Sequence, residues 1–251
     1  MSLPKVVAFD LDNTLAISKS PLAPSMGSAL GGLLEHAQVA IMSGGAYVQF
    51  QTQVLSALPA TAKLENLYLF PVCAGYCYHY INGVWTLVDD NSFTPEEKTE
   101  VMTALEEAME ETGFTEPPSE LWGERIEDRG ALIAFSGLGQ KAPYEEKKKW
   151  DPDMKKRRPL QEALERRLPN YTVKSNATTT IDITRGGISK AYGVRKLSEF
   201  TNVPVSDMLY IGDALFPGGN DEVVIPTGIP TQETKGPEDT ERIIKELLAN
   251  G

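Results

Sequence analysis

The stretch that decides the fold is residues 6–14, Val-Val-Ala-Phe-Asp-Leu-Asp-Asn-Thr, an apolar run that ends in two aspartates and a threonine. Its β-branched and aromatic residues are typical of a strand buried on both faces. Because alternate residues of a strand point to the same side, Asp10 and Asp12 are predicted to leave its carboxyl end together. Two carboxylates this close repel each other unless a cation lies between them or one of them holds a proton. The pair can therefore hold a divalent metal ion and supply both a nucleophile and a general acid.

The composition argues against binding to nucleic acids or membranes. The chain has 251 residues, enough for one large core or two modest ones. Lysine and arginine number 24 against 35 aspartate and glutamate residues, so the net charge is −11. No apolar stretch approaches the ~20 residues of a membrane span, and the first five residues lack a signal-peptide core. Cys73 and Cys77 have no zinc-type partner pair and are expected to be reduced thiols, so we expect a cytoplasmic protein.

Apolar runs alternate with helical patterns at both ends of the chain. This alternation predicts parallel strands joined by crossover helices. After Gly186 and Gly187 the rhythm of the first third returns. The predicted elements are the strands Val6–Phe9, Val39–Met42, Leu67–Phe70 and Met208–Ile211, and the helices Ala29–His36, Lys190–Phe200 and Glu238–Leu248.

The middle of the chain lacks this parallel-sheet rhythm. Residues 94–97, Thr-Pro-Glu-Glu, are typical of a helix start, with threonine as N-cap and proline and glutamate at the first and third helical positions. Apolar residues then recur on one face until Gly113. Alternating or apolar stretches follow at Ala131–Phe135 and Thr178–Ile183. We therefore predict an α/β protein whose Rossmann-like parallel-sheet core carries an inserted α+β cap. The predicted ranges are 1–82 and 186–251 for the core and 83–185 for the cap.

A second apolar strand also ends in an aspartate. Residues 209–213 read Leu-Tyr-Ile-Gly-Asp, and the glycine-rich loop 217–221, Pro-Gly-Gly-Asn-Asp, follows. In an open parallel sheet, ligands bind beyond the carboxyl ends of the strands. Carboxylate oxygens there suit a magnesium ion, while hydroxyl and ammonium groups suit phosphoryl oxygens. The side chains predicted to gather at this edge are Asp10, Asp12, Ser43, Lys190, Asp213 and Asp221.

Together these residues resemble the haloacid dehalogenase (HAD) superfamily in all four of its motifs. Residues 10–14 match the first motif, Ser43 the second and Lys190 the third, while Gly212-Asp213 and Asn220-Asp221 match the fourth. The position of the cap, between the second and third motifs, resembles subfamily IIB, which contains sugar-phosphate phosphatases and eukaryotic phosphomannomutase. Residues 212–221, Gly-Asp-Ala-Leu-Phe-Pro-Gly-Gly-Asn-Asp, are similar to Gly-Asp-Lys-Thr-Met-Pro-Gly-Gly-Asn-Asp of that mutase. The resemblance implies an HAD-like core.

The resemblance also implies a role for each matching residue. Asp10 would attack phosphorus and become an aspartyl phosphate, and Asp12 would protonate the leaving oxygen and then activate water or a second sugar hydroxyl. Lys190 would offset the negative charge, and Thr14 and Ser43 would donate hydrogen bonds. The residues implied to hold Mg²⁺ or shape its surroundings are Asp10, Asp12 through its backbone carbonyl, Asp213, Asn220 and Asp221.

The cap is less similar to the mutase, whose arginines grip the sugar phosphate. Trp122 and Gln140 stand where the mutase has its outer arginines, Arg129 persists, and Lys19 replaces a further arginine. Bidentate arginine contacts suit a mutase, which must hold both ends of a bisphosphate. We therefore expect a phosphatase of a small phosphorylated metabolite, with sugar phosphates favoured. The residues predicted to bind substrate are Lys19, Gly44, Arg129, Gln140, Thr180 and Asp182.

Two alternatives remain at this point. A phosphohexomutase would interconvert hexose 1- and 6-phosphates through the same aspartyl phosphate. A binding protein could keep the fold without turnover, although nothing in the sequence favours it. The predicted partner is a small phosphorylated molecule, and a homodimer formed through the cap is one arrangement consistent with the resemblance.

Overall fold

The structure is a computed structural model that describes residues 3–176 and 178–249. Residues 1, 2, 177, 250 and 251, which the predicted domain ranges include, lie outside the described residues. The chain divides into two units. The core unit comprises Met1–Asp90 and Ser189–Gly251, and the cap unit comprises Asn91–Ile188. Within the described part of the chain, no helix combines the length and the apolar character needed to cross a membrane.

The described residues of the two units form the following strands and helices. The strands are β1 (Val6–Asp10), β2 (Gln38–Met42), β3 (Leu67–Phe70), β4 (Tyr76–Ile81), β5 (Val84–Asp90), β6 (Ile126–Asp128), β7 (Leu132–Ser136), β8 (Tyr171–Asn176), β9 (Thr180–Arg185), β10 (Met208–Gly212) and β11 (Thr231–Glu233). The helices are α1 (Pro24–Leu34), α2 (Tyr47–Gln53), the single turn α3 (Pro71–Ala74), α4 (Pro95–Thr112), α5 (Tyr144–Trp150), α6 (Arg157–Arg167), α7 (Lys190–Thr201) and α8 (Pro237–Ala249).

The core unit is built on one seven-stranded sheet, in the order β11-β10-β1-β2-β3-β4-β5. The strands from β11 to β3 are parallel, so the core has the predicted α/β fold. The strand β1 pairs with β2 on one side and with β10 on the other, and the strand order reverses there. A reversal of this kind opens a crevice at the carboxyl ends of the strands, where ligands bind in open α/β sheets. Asp10 ends β1 and Asp213 follows β10, so both residues lie at this crevice.

Apolar side chains cover both faces of the core sheet. Val7 and Phe9 pack in one cluster with apolar residues of α1, α2 and α8. Val6 and Ala8, which alternate with them along β1, pack in a second cluster with α7. A strand buried on both faces needs a continuous apolar sequence, which explains why β1 has no alternation of polar and apolar residues.

The core unit extends beyond the boundary that the sequence predicted at residue 82. Strands β4 and β5 form an antiparallel hairpin, and β4 also pairs with β3. Asn82 and Gly83 join the two strands with φ angles of 50° and 85°, and positive angles at both positions suit a two-residue hairpin turn. The prediction that the cap begins at residue 83 is therefore corrected, because residues 83–90 complete this hairpin. At the other end, residues 186–188 group with the cap unit.

The cap unit contains a four-stranded antiparallel sheet in the order β6-β7-β9-β8. Helices α4 and α6 contribute to the apolar cluster beside it. The predicted start of α4 is confirmed: the Thr94 hydroxyl accepts a hydrogen bond from the Glu97 backbone at 3.2 Å, and the Glu97 carboxylate accepts one from the Thr94 backbone at 2.7 Å. The helix ends at Gly113, whose φ of 76° also agrees with the prediction.

A buried ion pair joins the start of α6 to the cap sheet. The Arg157 Nε donates to the Asp151 Oδ2 at 2.9 Å, and both side chains are almost completely buried. The Arg157 Nη1 also donates to the backbone carbonyl of Thr180, the first residue of β9, at 3.1 Å. The Asp151 carboxylate in addition accepts hydrogen bonds from the backbone of Lys156 and Arg157. The pair therefore connects two elements that are distant along the chain.

Candidate active site

Asp10 and Lys190 form a buried ion pair at the crevice of the core sheet. Asp10 is 3% exposed and Lys190, the first residue of α7, is 4% exposed. The Lys190 Nζ donates to Asp10 Oδ1 at 2.5 Å and to Asp221 Oδ1 at 2.6 Å. The other oxygen of Asp10, Oδ2, is buried and has no hydrogen-bond partner among the described residues. A buried oxygen left without a partner is costly, so this atom is the best candidate for contact with a ligand.

Burial and neighbouring charges set the protonation of this pair. Burial raises the pKa of Asp10 to about 7, the Lys190 ammonium opposes that rise, and the Asp221 charge adds to it. For Lys190, burial disfavours the charged form, but the Asp10 carboxylate, with Tyr210 and Asp221, raises the pKa well above its usual range. Lys190 therefore stays cationic, while the ionisation of Asp10 depends on additional positive charge.

Three carboxylates of the core unit lie close enough to share a cation. Among the described residues, Asp10, Asp213 and Asp221 each offer an oxygen within 4.8 Å of the others. Burial raises the pKa of Asp213, and the charge of Asp221 raises it further. A divalent cation relieves such repulsion, and carboxylate oxygens are the ligands that Mg²⁺ prefers. The residues present therefore fit a hard divalent metal ion, and the orphaned Oδ2 of Asp10 is an oxygen available to it.

Asp221 differs from the other two carboxylates because both of its oxygens already accept hydrogen bonds. Its Oδ1 accepts from Lys190 and from the Tyr210 hydroxyl, each at 2.6 Å. Its Oδ2 accepts from the Ala214 backbone at 3.2 Å. Asp10 and Asp213 are thus the carboxylates with more capacity left for a metal ion. Asn220, also predicted to lie at the metal, is exposed.

Asp12 does not belong to this cluster of three carboxylates, and its own carboxylate accepts two hydrogen bonds. Its Oδ1 accepts from the Lys19 backbone at 2.8 Å, and its Oδ2 accepts from the Ser43 hydroxyl at 3.3 Å. The Ser43 oxygen in turn accepts from the Gly45 backbone at 3.1 Å. These contacts hold Asp12 in one orientation directly beyond the end of β1. Lys19 contacts Asp12 through its backbone, and the residue is exposed.

Thr14 links the first motif to the fourth. Its hydroxyl donates to Asp213 Oδ1 at 3.3 Å and accepts from the Asp213 backbone at 3.0 Å. The residue is completely buried. The hydroxyl is therefore used to orient Asp213, a role that the sequence did not indicate.

A strained turn supports the loop that carries Ser43. Val72, Cys73 and Ala74 have φ angles of 57°, 55° and 66°, a left-handed conformation that is costly for residues other than glycine. The Val72 backbone donates to the Gly45 carbonyl and the Cys73 backbone to the Ser43 carbonyl, both at 2.9 Å. Gly44, predicted to bind substrate, lies between these anchored residues. Strain of this kind persists where the surrounding structure enforces it, which is typical of functional sites.

The predicted substrate-binding residues of the cap lie in the cap unit and partly contact one another. The Arg129 guanidinium donates to the Glu127 carboxylate at 2.6 and 3.0 Å and to the Gln140 side chain at 3.5 Å. Gln140 also donates to the Ala134 carbonyl at 3.3 Å. Asp182 is buried in β9, opposite Ala134. Thr180 begins the same strand.

Tyr210 is the residue of this site that the sequence did not indicate. It lies on β10 two residues before Gly212, is completely buried, and contacts Asp221 through its hydroxyl. One feature of the sequence could have pointed to Tyr210: it is a tyrosine in an otherwise apolar strand that leads directly to Asp213. A buried tyrosine hydroxyl usually needs a hydrogen-bond partner, so a polar neighbour could have been expected there.

Comparison with known proteins agrees with the motifs. A family model described as haloacid dehalogenase-like hydrolase matches residues 147–221. An IMP-nucleotidase from Plasmodium falciparum, solved with IMP bound, superimposes with a TM-score of 0.69 at 16% identity, over 99% of this chain and 68% of that chain. A haloacid dehalogenase-like hydrolase from Bacteroides thetaiotaomicron gives 0.67 at 15% identity, over 97% and 99% of the two chains. A phosphatase of the same superfamily from that organism gives 0.57 at 14% identity, over 98% and 95%.

At these identities the solved structures establish a common fold. No curated protein matches the chain by sequence. The core is a Rossmann-like α/β sheet with a buried aspartate at its switch point and a lysine beside it. The family match over residues 147–221 and the shared fold agree with the resemblance stated from the motifs.

Proposed function

We propose that this protein is a Mg²⁺-dependent phosphatase of small phosphorylated metabolites, with sugar phosphates as the favoured class. The observation that carries the proposal is the hydrogen bonding of the two Asp10 carboxylate oxygens. One oxygen of this buried carboxylate is held by Lys190, and the other has no hydrogen-bond partner among the described residues. An oriented carboxylate beside a buried ammonium is suited to attack phosphorus and to stabilise the charge that develops.

In the proposed reaction, Asp10 attacks the phosphorus atom of the ester. A P–O bond to Asp10 forms as the P–O bond to the leaving group breaks, and Asp12 gives its proton to the leaving oxygen. Asp12, held by Ser43 and the Lys19 backbone, then removes a proton from water, which attacks the aspartyl phosphate and releases inorganic phosphate. Bound Mg²⁺, held by Asp10 and Asp213, would supply positive charge for the phosphoryl oxygens and for ionised Asp10.

The experiment that tests this proposal is a panel of phosphate esters scored for released phosphate in the presence of Mg²⁺. The panel contains a chromogenic aryl phosphate, hexose 1- and 6-phosphates, and nucleoside monophosphates because the similar Plasmodium structure is an IMP-nucleotidase. We expect turnover of the chromogenic ester and of at least one sugar phosphate. Absence of released phosphate from every ester would contradict the proposal and favour a binding protein. Preferential turnover of nucleotides would support the phosphatase reaction, but it would change the proposed substrate class from sugar phosphates to nucleotides.

Mg²⁺ is expected to stabilise the folded chain in a manner that depends on pH. At a free concentration of ~100 times its dissociation constant, linkage predicts about 2.7 kcal/mol. Because the pKa of Asp10 is raised from 3.8 to about 7, the folded chain binds this proton more tightly than the unfolded chain. Without metal, this group's contribution to stability therefore falls as pH rises from about 4 toward about 7. Since Mg²⁺ competes with that proton, the Mg²⁺-induced rise in Tm should be larger at about pH 8 than at about pH 5.5.

The measurement is thermal unfolding with Mg²⁺ and with a chelator at both pH values. Asp213→Ala should lose most of the Tm rise, whereas Asp207→Asn, which changes an exposed aspartate of the core unit, should keep it. A Tm that is the same with Mg²⁺ and with chelator in the wild type would count against a metal at these residues. An equal Tm rise at both pH values would show that Asp10 is not the group that exchanges its proton for the ion.

Hexose monophosphates are expected to yield free phosphate with little exchange between the 1- and 6-phosphates. A mutase must anchor the distal phosphate of a bisphosphate, and Trp122 and Gln140 stand where the similar mutase has arginines. The remaining Arg129 contacts the Glu127 carboxylate and Gln140. Loss of one charge-assisted hydrogen bond weakens binding roughly ten- to a hundredfold. A coupled isomer assay, run beside phosphate release with a bisphosphate activator, checks this prediction. Isomer conversion at tenfold or more the rate of phosphate release would favour the mutase.

A further inference from the structure

We propose that Tyr210 is a positioning residue of the phosphoryl-transfer site. Its hydroxyl fixes the Asp221 carboxylate, and Asp221 in turn fixes the Lys190 ammonium beside the nucleophile Asp10. The inference rests on the proposed function, because it gives Tyr210 a part in that same reaction.

A series of three short hydrogen bonds leads from Tyr210 to Asp10. The Tyr210 hydroxyl donates to Asp221 Oδ1 at 2.6 Å, and the same oxygen accepts from the Lys190 Nζ at 2.6 Å. The Lys190 Nζ then donates to Asp10 Oδ1 at 2.5 Å. All four side chains are buried, so water does not compete for these contacts. In such surroundings hydrogen bonds are stronger than at the surface, and losing one of them changes the geometry of the next.

The contact with Tyr210 changes how Asp221 competes for Lys190. Asp10 and Asp221 share the single ammonium of Lys190. Without other donors, Asp221 would depend on that ammonium alone to offset its negative charge. The Tyr210 hydroxyl and the Ala214 backbone both donate to Asp221 and satisfy part of its demand. A tyrosine hydroxyl has a single proton to donate, and here that proton is directed to Asp221 Oδ1. More of the Lys190 charge is thereby available to Asp10 and to a phosphoryl group.

The absence of a side chain at Gly212 makes room on β10 for the Asp221 carboxylate. Tyr210 and Gly212 are alternate residues of β10 and therefore face the same side. A Cβ atom at Gly212 would lie 2.4 Å from Asp221 Oδ2 and 3.0 Å from the Cε1 atom of the Tyr210 ring. Asp221 thus occupies the space that the missing side chain leaves, between the Tyr210 hydroxyl and the Ala214 backbone. The ring of Tyr210 packs in the apolar cluster, as a phenylalanine ring would. Its hydroxyl is the part of the side chain that orients the Asp221 carboxylate.

The first test is Tyr210→Phe, which keeps the ring and removes the donor. We expect kcat to fall roughly ten- to a hundredfold with KM changed less than about threefold, because the substrate contacts stay in place. Tyr68→Phe is the matched control, since Tyr68 is a buried tyrosine of the same apolar cluster on β3. It should leave kcat within about twofold of the wild type. An unchanged kcat in Tyr210→Phe, or an equal loss in Tyr68→Phe, would overturn the inference.

The second test asks whether Tyr210 acts through Asp221. If it does, Tyr210→Phe combined with Asp221→Asn should have a kcat within about threefold of Asp221→Asn alone. Losses that multiply would mean that the two residues act independently, which contradicts the proposed route.

A third measurement does not depend on activity. Crystal structures of the wild type and of Tyr210→Phe should differ in the Asp221 carboxylate, with the distance from Lys190 Nζ to Asp10 Oδ1 beyond 3.5 Å in the variant. Unchanged positions would overturn the inference whatever the kinetics. If the wild type releases phosphate from no ester, the proposed function fails, and this comparison still decides whether Tyr210 positions Lys190.

Discussion

Asp10→Asn is expected to lower kcat by at least ~10³-fold while the chain stays folded. The substitution removes the nucleophilic oxygen with almost no change of shape, and Lys190 keeps its contact with Asp221. The measurement is kcat on the best ester of the panel, beside thermal unfolding to establish that the variant is folded. Near-normal kcat in a folded Asp10→Asn variant would contradict the covalent mechanism.

Two further variants make this result specific. Asp207→Asn changes an exposed aspartate of the core unit and should leave kcat unchanged. Asp12→Asn should be almost as damaging as Asp10→Asn, but it keeps the nucleophile. Phosphorylated enzyme could therefore accumulate in Asp12→Asn and should be absent from Asp10→Asn. Phosphoenzyme in Asp10→Asn would show that another residue is the nucleophile.

Asp151→Ala is expected to destabilise the cap unit by about 3–5 kcal/mol. The substitution leaves the Arg157 guanidinium buried without the carboxylate that faces it at 2.9 Å. It also removes the acceptor for the backbone of Lys156 and Arg157 at the start of α6. Denaturant unfolding, followed by hydrogen exchange of α6 and β9, measures the loss.

The control for this prediction is Asp153→Ala, which removes an exposed Asp–Lys pair of the same segment. The Asp153 and Lys155 side chains are 52% and 82% exposed, so their ion pair is screened by water and should contribute nothing measurable. Equal destabilisation by both substitutions would mean that burial of the Arg157–Asp151 pair is not the cause.

The elements that could be predicted from the sequence are those whose signals are local. The apolar run before Asp10 and the capping pattern at Thr94 need only a few neighbouring residues to be recognised. Both predictions agree with the observed β1 and α4. The hairpin of β4 and β5 was missed although its Asn82-Gly83 turn is also a local signal, and that omission placed the domain boundary too early.

The sequence by itself determined which chemical groups the core carries and which strand ends carry them. What each group contacts was decided by the tertiary structure. Lys190 meets Asp10 across 180 positions of the chain, and Thr14 meets Asp213 across 199. A carboxylate can bind a metal ion, or it can accept a hydrogen bond from an ammonium or a hydroxyl group. The sequence motif that contains the carboxylate does not distinguish these roles. Only the packing of β10 against β1 and α7 placed Tyr210 and Lys190 within hydrogen-bond distance of Asp221, and so separated its role from that of Asp213.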